Sequence, residues 1–340
     1  MAKRIVSSAI CALLLFSFCG CRQKQKNGAE SQVEVKEKTP VTIKLGFSTN
    51  MEDPRGVASK LFKDEVEKNS DGAIIIDIHP DGNLGSDADL ISGIIAGSVD
   101  MTVSSAGNFA VYATKIGISA LPFLFSDFES AWRFMDSGII KEVNKTMAEF
   151  NMVVLSHYDN GFRCVTTTNK PVKSVADMKG LNIRTPPNQI VMETMSTLGA
   201  NPKPYDFTKL KQALTDGLFD SQENPIPVIF NNKLFEEQKY LAITNHSYDA
   251  MPLVIRKGLW DSFDAESQKI LLDAAKKAQD LDRQLVKAQT ESYVDKLKEA
   301  GMTITTPNLK EFAAATNTVM DTFATIYGED LIAKMREAIK

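Results

Sequence analysis

Residues 179–232 read KGLNIRTPPNQIVMETMSTLGANPKPYDFTKLKQALTDGLFDSQENPIPVIFNN. Leu181 to Arg184 alternates like a short strand, and Arg184 stands at its carboxyl end, just before Pro186-Pro187. A helix pattern follows from Pro187 to Leu198, and another from Phe207 to Leu214. Leu218 to Ser221 reads as a second strand, running into the polar cluster Asp220-Ser221-Gln222-Glu223-Asn224-Pro225. In an α/β sheet, ligands occupy the crevice beyond the carboxyl ends of the strands. The stretch therefore predicts an anion site centred on Arg184. A guanidinium offers parallel N–H donors that fit a carboxylate, a geometry lysine lacks. A helix starting at Pro186 or Pro187 would add free N–H groups and a positive dipole end.

Toward the N-terminus the strand–helix alternation continues. Val41 to Phe47 is a strand, Pro54 to Lys68 a helix, and Ala73 to Ile78 a strand. Asn83-Leu84-Gly85 is a turn, Asp87 to Ala96 a helix, and Val99 to Ser104 a third strand. That order argues for a mostly parallel sheet flanked by helices. Helices near Phe128–Met135 and Ile139–Phe150 and a buried strand at Met152–Tyr158 extend it. Asp159-Asn160-Gly161 marks a break, after which Arg163 to Thr168 opens a second α/β unit. Pro252 to Ile255 reads as a strand returning to the first unit. Asp264 to Ala300 has no Pro or internal Gly and reads as one helix of roughly 54 Å, long enough to brace two domains. Helices at Asn308–Tyr327 and Glu329–Ile339 close the chain.

The first residues read as an address. Lys3 and Arg4 precede an apolar run from Ala9 to Phe16, too short to span a bilayer. Gly20-Cys21 then fits a lipoprotein cleavage site with Cys21 acylated, and an ordinary secretory cut nearby is the alternative. Residues 1–20 are thus a signal peptide and 21–40 a polar, disordered tether on the order of 25 Å between its ends. Of four cysteines only Cys164 remains in the folded part, so no internal disulfide can form there. The formal charge of −4 becomes −6 once Lys3 and Arg4 leave. Such a chain has no general field for nucleic acid, so an anion must be held by a few local cations. His79, His157 and His246 lack metal-ligand spacing, and GxSxG, HExxH and Walker motifs are missing. No metal, no cofactor and no catalysis are expected.

The ordered set GLNIR, LGANP, DSQENP and Thr244-Asn245-His246 resembles the DctP-type solute-binding proteins of TRAP transporters. Gly82-Asn83-Leu84-Gly85, Ser98-Val99-Asp100, Leu121-Pro122-Phe123 and Trp260-Asp261-Ser262-Phe263 extend the likeness over essentially residues 41–340. The resemblance implies a periplasmic-binding-protein-like α/β fold: two sheets flanked by helices, a hinge, and a long helix across both domains. Domain I takes residues 41–160 plus 250–285, and domain II residues 161–249 plus 286–340. It implies a monomer in the cell envelope, held at the membrane by its lipid, that binds an organic acid between its domains. The acid is then delivered to the small and large membrane subunits of an ion-driven transporter, or presented to a sensor.

By the same resemblance Arg184 pairs with the ligand carboxylate, Asn224 supports it, Arg163 is a second cation facing the ligand, and Phe207 packs against the acid. From residue type alone, Arg163 could instead pair with Asp159, Asn224 could be a turn residue, and Phe207 ordinary core. The facing domain should set specificity through Ser48, Thr49 and Asn50, Asp87, and Ser104 to Asn108, all after predicted strands. Sialic-acid binders of this family carry a glutamate and an arginine where Ser105 and Asn108 stand here. Short neutral groups favour a hexuronate or aldonate, with a C4-dicarboxylate or keto acid as the alternative ligand.

Overall fold

The structure is a computed structural model that describes residues 39–338. The signal peptide, Cys21, nearly all of the tether and the end of the last helix lie outside the described residues. Alternation builds the first strands. β1 (Val41–Gly46) buries Ile43 and Leu45 and pairs in parallel with β2 (Ile74–His79) and β3 (Met101–Val103). Between them run α1 (Pro54–Asn69), capped by Asp53, and α2 (Asp87–Ala96), closed by a capping box between Ser86 and Asp89. Then follow α3 (Ala106–Phe109), α4 (Phe128–Met135) and α5 (Gly138–Lys145).

Next comes β4 (Met152–Thr167), which does not stop at Asp159-Asn160-Gly161. The expected break is a bulge instead, with register shifts at Asp159/Gly161 and Arg163/Val165 and Gly161 at φ 105°. That left-handed φ suits glycine alone, so the strand bends without ending. After it come β5 (Asn182–Thr185), α6 (Gln189–Thr197), β6 (Asn201–Pro204), α7 (Leu210–Thr215), β7 (Ser221–Pro225) and α8 (Ile226–Asn231). β8 (Tyr240–Arg256) is likewise one strand, longer than the expected Pro252–Ile255 segment. The sheet order is β2-β1-β3-β8-β4-β7-β5-β6. Two parallel flanks, β2-β1-β3 and β7-β5-β6, are joined through the antiparallel pair β8/β4, so the two expected sheets share both long strands.

The chain ends with α9 (Lys257–Trp260), α10 (Ala265–Glu299), β9 (Thr303–Thr305), α11 (Leu309–Ala315), α12 (Asn317–Tyr327) and α13 (Glu329–Ala338). α10 spans roughly 52 Å at 1.5 Å per residue. Leu271, Ala274 and Ala275 join the core with Phe62 of α1, and Leu297 packs with Leu210 and Ile229 near the other flank. The single helix expected over Asn308–Tyr327 is broken at Thr316, whose hydroxyl bonds the carbonyls of Phe312 and Ala313. Phe323 and Tyr327 of α12 and Ile332 and Met335 of α13 pack with Phe134 and Ile140. The same cluster includes Phe162, Ile190 and Tyr248, β9 pairs with β8 at Tyr240–Ala242, and Phe312 of α11 packs with Val165 and Ile183, so the end of the chain also meets residues 161–249.

Two local expectations change near Arg184. Helix α6 begins at Asn188, not at the Pro-Pro pair, and Asn188 Oδ1 accepts from the N–H groups of Ile190 and Val191. The helix end is thus already capped and offers fewer free donors than a proline start would. The strand expected at Leu218–Ser221 lies further on, as β7, and is made of the polar cluster itself. A fully buried polar strand is stable because its side chains find partners. Gln222 donates to Thr166 Oγ1 at 2.7 Å, and Asn224 donates to Gln222 Oε1 at 2.6 Å.

Candidate ligand-binding site

The carboxyl ends of β1, β3, β5 and β7 point toward one cavity, and the bulge of β4 forms its floor. From one flank Ser48, Thr49, Arg55, Asp87, Ser105 and Asn108 line it. From the other come Arg163, Arg184, Tyr205, Phe207 and Asn224, with Asn160 on the bulge. Of the side chains singled out from sequence, Asn50 does not line this space, and of the segment Ser104 to Asn108 only Ser105 and Asn108 do. Asn50 is turned away: its Nδ2 donates to the Asn231 carbonyl at 3.0 Å, and its Oδ1 accepts from Glu52 and Asp53 N–H. It ties the loop after β1 to the end of α8 on the opposite flank.

Arg184 is 2% exposed. Its Nε and Nη2 both donate to the Tyr205 carbonyl, at 2.9 and 2.6 Å, and its Cζ lies 5.9 Å from the centre of the Phe207 ring. Among the described residues no carboxylate forms an ion pair with it, and Nη1 has no partner. Burial pulls its pKa from 12.5 down to about 10, helped by the Arg163 charge and only partly opposed by Glu223. The cavity thus holds a cation positioned by one carbonyl and with no carboxylate paired to it, Glu223, Asp87 and Asp206 acting on it only from further off.

Arg163 has the opposite character. Its Nε donates to Glu223, Nη2 donates to Glu223 Oε1 at 2.8 Å and to the Glu223 carbonyl at 2.7 Å, and Nη1 donates to Asp249 at 2.5 Å. Nη2 also reaches Asn224 Oδ1 at 3.1 Å. Of five N–H donors a single Nη1–H is left. Burial alone would depress this guanidinium, but Glu223 and Asp249 outweigh it and raise its pKa. Burial likewise pushes Glu223 up, yet Arg163 and His246 hold its carboxyl below the usual range. Arg163 therefore spends its charge within the protein and fixes Asn224. Asp159, its alternative partner on sequence grounds, accepts from Trp132 Nε1 at 2.6 Å instead.

The facing wall is polar. Ser48 donates to Asp87 at 3.1 Å, and Ser105 donates to Asp249 at 2.5 Å, so Ser105 joins the Arg163 network. Asn108 donates to Ser104 at 2.9 Å and keeps Oδ1 buried without a partner. Arg55 was not legible as a site residue. An arginine in the first turn of a helix reads as a solvated side chain, although it opposes the helix dipole, and that local conflict was the available signal.

Residues 45–326 match the sequence profile of DctP, the bacterial extracellular solute-binding protein family 7. The chain belongs to this family. The 2,3-diketo-L-gulonate-binding periplasmic protein of Escherichia coli K12 is 33% identical over 300 residues, covering 87% of this chain and 92% of that protein. A TRAP periplasmic solute-binding protein from Polaromonas sp. JS666, solved with D-erythronate, superposes with a TM-score of 0.85 at 31% identity, covering 87% of this chain and 98% of that one. The sugar-acid-binding protein of Advenella mimigardefordensis, solved with galactonate, gives a TM-score of 0.85 at 27% identity, over 88% of this chain and 98% of that one. This DctP protein is the solute-binding component of a TRAP transporter, and its family is periplasmic. Among its described residues no helix is long and apolar enough to cross a membrane.

Proposed function

We propose that this DctP protein captures a sugar acid, an aldonate or hexuronate, with its carboxylate on Arg184. The observation that carries the reading is a buried arginine lining the cavity with no carboxylate paired to it. An unpaired buried cation is expensive, so a carboxylate that enters supplies what the fold withholds. Phe207 covers the guanidinium, and Asn224, held by Arg163, offers a polar contact beside it. The polar facing wall, with Asp87, Ser105 and Asn108, suits hydroxyl groups along the acid. The sugar acids in the solved relatives support this choice of ligand.

The flank of residues 41–160 with 250–285 and the flank of residues 161–249 with 286–340 then act as two domains that close on the acid. A monomer tethered by acylated Cys21 delivers it to the small and large membrane subunits. A calorimetric screen of the purified protein with aldonates, hexuronates, C4-dicarboxylates and keto acids tests the ligand class. Sugar acids are expected to bind tightest, and a C4-dicarboxylate or keto acid binding tighter overturns the assignment. Mass spectrometry of the protein from membranes tests the anchor: a diacylglyceryl mass on Cys21 is expected, and an unmodified N-terminus overturns it.

A further inference from the structure

We infer that Arg55 is a second ligand-holding cation, and that with Asp87 it reads the end of the ligand remote from the carboxylate as a hydroxyl. The cleft would then select monocarboxylic polyhydroxy acids against dicarboxylic acids of the same carbon skeleton. The inference rests on the carboxylate lying at Arg184.

Arg55 sits in the first turn of α1 and is 4% exposed, yet its Nε is buried without a hydrogen-bond partner. Its hydrogen bonding is confined to the backbone N–H, which donates to Asp53 Oδ1 at 3.1 Å, while the buried Asp53 and Asp282 carboxyls act on its charge without bonding its side chain. Among the described residues its side chain forms no ion pair. The positive end of the α1 dipole adds to the charge there. Two more orphaned groups line the same cavity from the same flank, Thr49 Oγ1 and Asn108 Oδ1. Asp87 stands beside them and accepts from Ser48 Oγ. Orphaned buried polar groups are rare in folded proteins, and three on one wall of one cavity mark where a ligand completes the bonding.

The donor and acceptor types narrow what completes it. Arg55 can only donate, Asp87 and Asn108 Oδ1 can only accept, and Thr49 can do either. A hydroxyl accepts from Arg55 while giving its proton to Asp87 or Asn108, which satisfies both sides at once. A second carboxylate also accepts from Arg55, but it has no proton to give and brings a like charge toward Asp87. A site built around a substrate hydroxyl rejects an analogue that lacks it far more strongly than an apolar site rejects a size change.

Matched pairs test this: D-galactonate against galactarate and D-gluconate against D-glucarate, which differ only in whether the last carbon is CH2OH or carboxylate. Calorimetry on the purified protein should show the better aldonate binding at least about a hundredfold tighter than its aldarate. Arg55→Gln should weaken the aldonate at least about tenfold while the ligand-free melting temperature stays level or rises. A merely structural arginine would instead lower that temperature and leave Kd alone. Asp87→Asn should narrow the aldonate–aldarate gap at least about tenfold. An aldarate bound as tightly as its aldonate, no binding of either aldonate, or an Arg55→Gln protein within about twofold of wild type each overturns the inference. Should Arg55→Gln fail to fold, the wild-type pair ratio and the Asp87→Asn arm still decide. Arg184→Lys on the same panel separates the two readings. If it binds normally, the carboxylate assignment fails; if it loses binding while Arg55→Gln does not, only this inference fails.

Discussion

Replacing Arg184 by alanine should remove binding without removing the fold, and the structure says how far each should move. The depression of its pKa from 12.5 to about 10 corresponds to about 3 kcal/mol of penalty on the charged side chain in the ligand-free protein. Alanine relieves that penalty. It also strips the Tyr205 carbonyl of two donors, which costs about 1–3 kcal/mol. The two nearly cancel, so the ligand-free melting temperature should move by no more than a few degrees. Binding has no such compensation. Truncating one partner of a buried, hydrogen-bonded charge pair costs about 2–5 kcal/mol, or roughly 30- to 4000-fold in Kd. Arg184→Lys keeps the charge but not the fork, and should recover little of it. Titration calorimetry with the tightest sugar acid, alongside thermal unfolding without ligand, reads both quantities. An alanine variant whose Kd stays within about threefold of wild type refutes the carboxylate role. A collapse of the ligand-free melting temperature would show instead that the buried cation is structural.

Arg163→Ala should behave in reverse. It strands Glu223 and Asp249 in the interior and should cost about 3–5 kcal/mol of stability in urea unfolding, and a loss under about 1 kcal/mol would contradict the network. Gly107→Ala should weaken ligand binding, because a methyl at 107 would lie 2.1 Å from Asn188 Nδ2 on the opposite flank and oppose the approach of the two flanks. Unchanged affinity would mean that these surfaces need not meet. A pH series tests Asp159, whose carboxyl burial pushes from 3.8 up to about 7 against the pull of Trp132 and Arg283. Its folded pKa is raised, so the native state holds a proton that the unfolded chain gives up. Its stabilising contribution is full below about pH 4 and is lost as pH rises through 7. Asp159→Asn should therefore gain about 4 kcal/mol on wild type between pH 4 and pH 8. His157, pulled by burial from 6.5 to about 3, works the other way and is present in both proteins, so it leaves that difference untouched. A difference that does not change with pH would sink the assignment.

What could be read from the sequence was whatever depends on near neighbours. The alternation in residues 41–47, the extents of α1 and α2, and the uninterrupted run that becomes α10 are local signals. Arg184 was legible for the same reason, as a cation at the end of a short strand. The structure of β7 was not, because its polar side chains are made tolerable by partners far along the chain. Glu223 meets Arg163 across 60 positions, and Gln222 meets Thr166 across 56. The continuity of β4 was hidden likewise. Asp159, Asn160 and Gly161 are turn formers by type, but Trp132 and Asp249 absorb the two polar side chains and the glycine absorbs the bend. Arg163 was legible as a site residue but not as a neutralised one, since Asp249 lies 86 positions away.

The weave of the sheet also orders the birth of the protein. β1, β2 and β3 come from residues 41–103, yet the outer edge of β3 is closed only by Leu253–Ile255 of β8. The apolar face beneath them waits longer still, for Leu271, Ala274 and Ala278 of α10. A chain emerging N-terminus first therefore carries an open strand edge and a bare core face until some three-quarters of it has been made. Early segments cannot lock into a finished unit ahead of late ones, because the contacts that complete them are non-local. In a chain of a periplasmic family, this topology defers the finished fold until most of the sequence has been made.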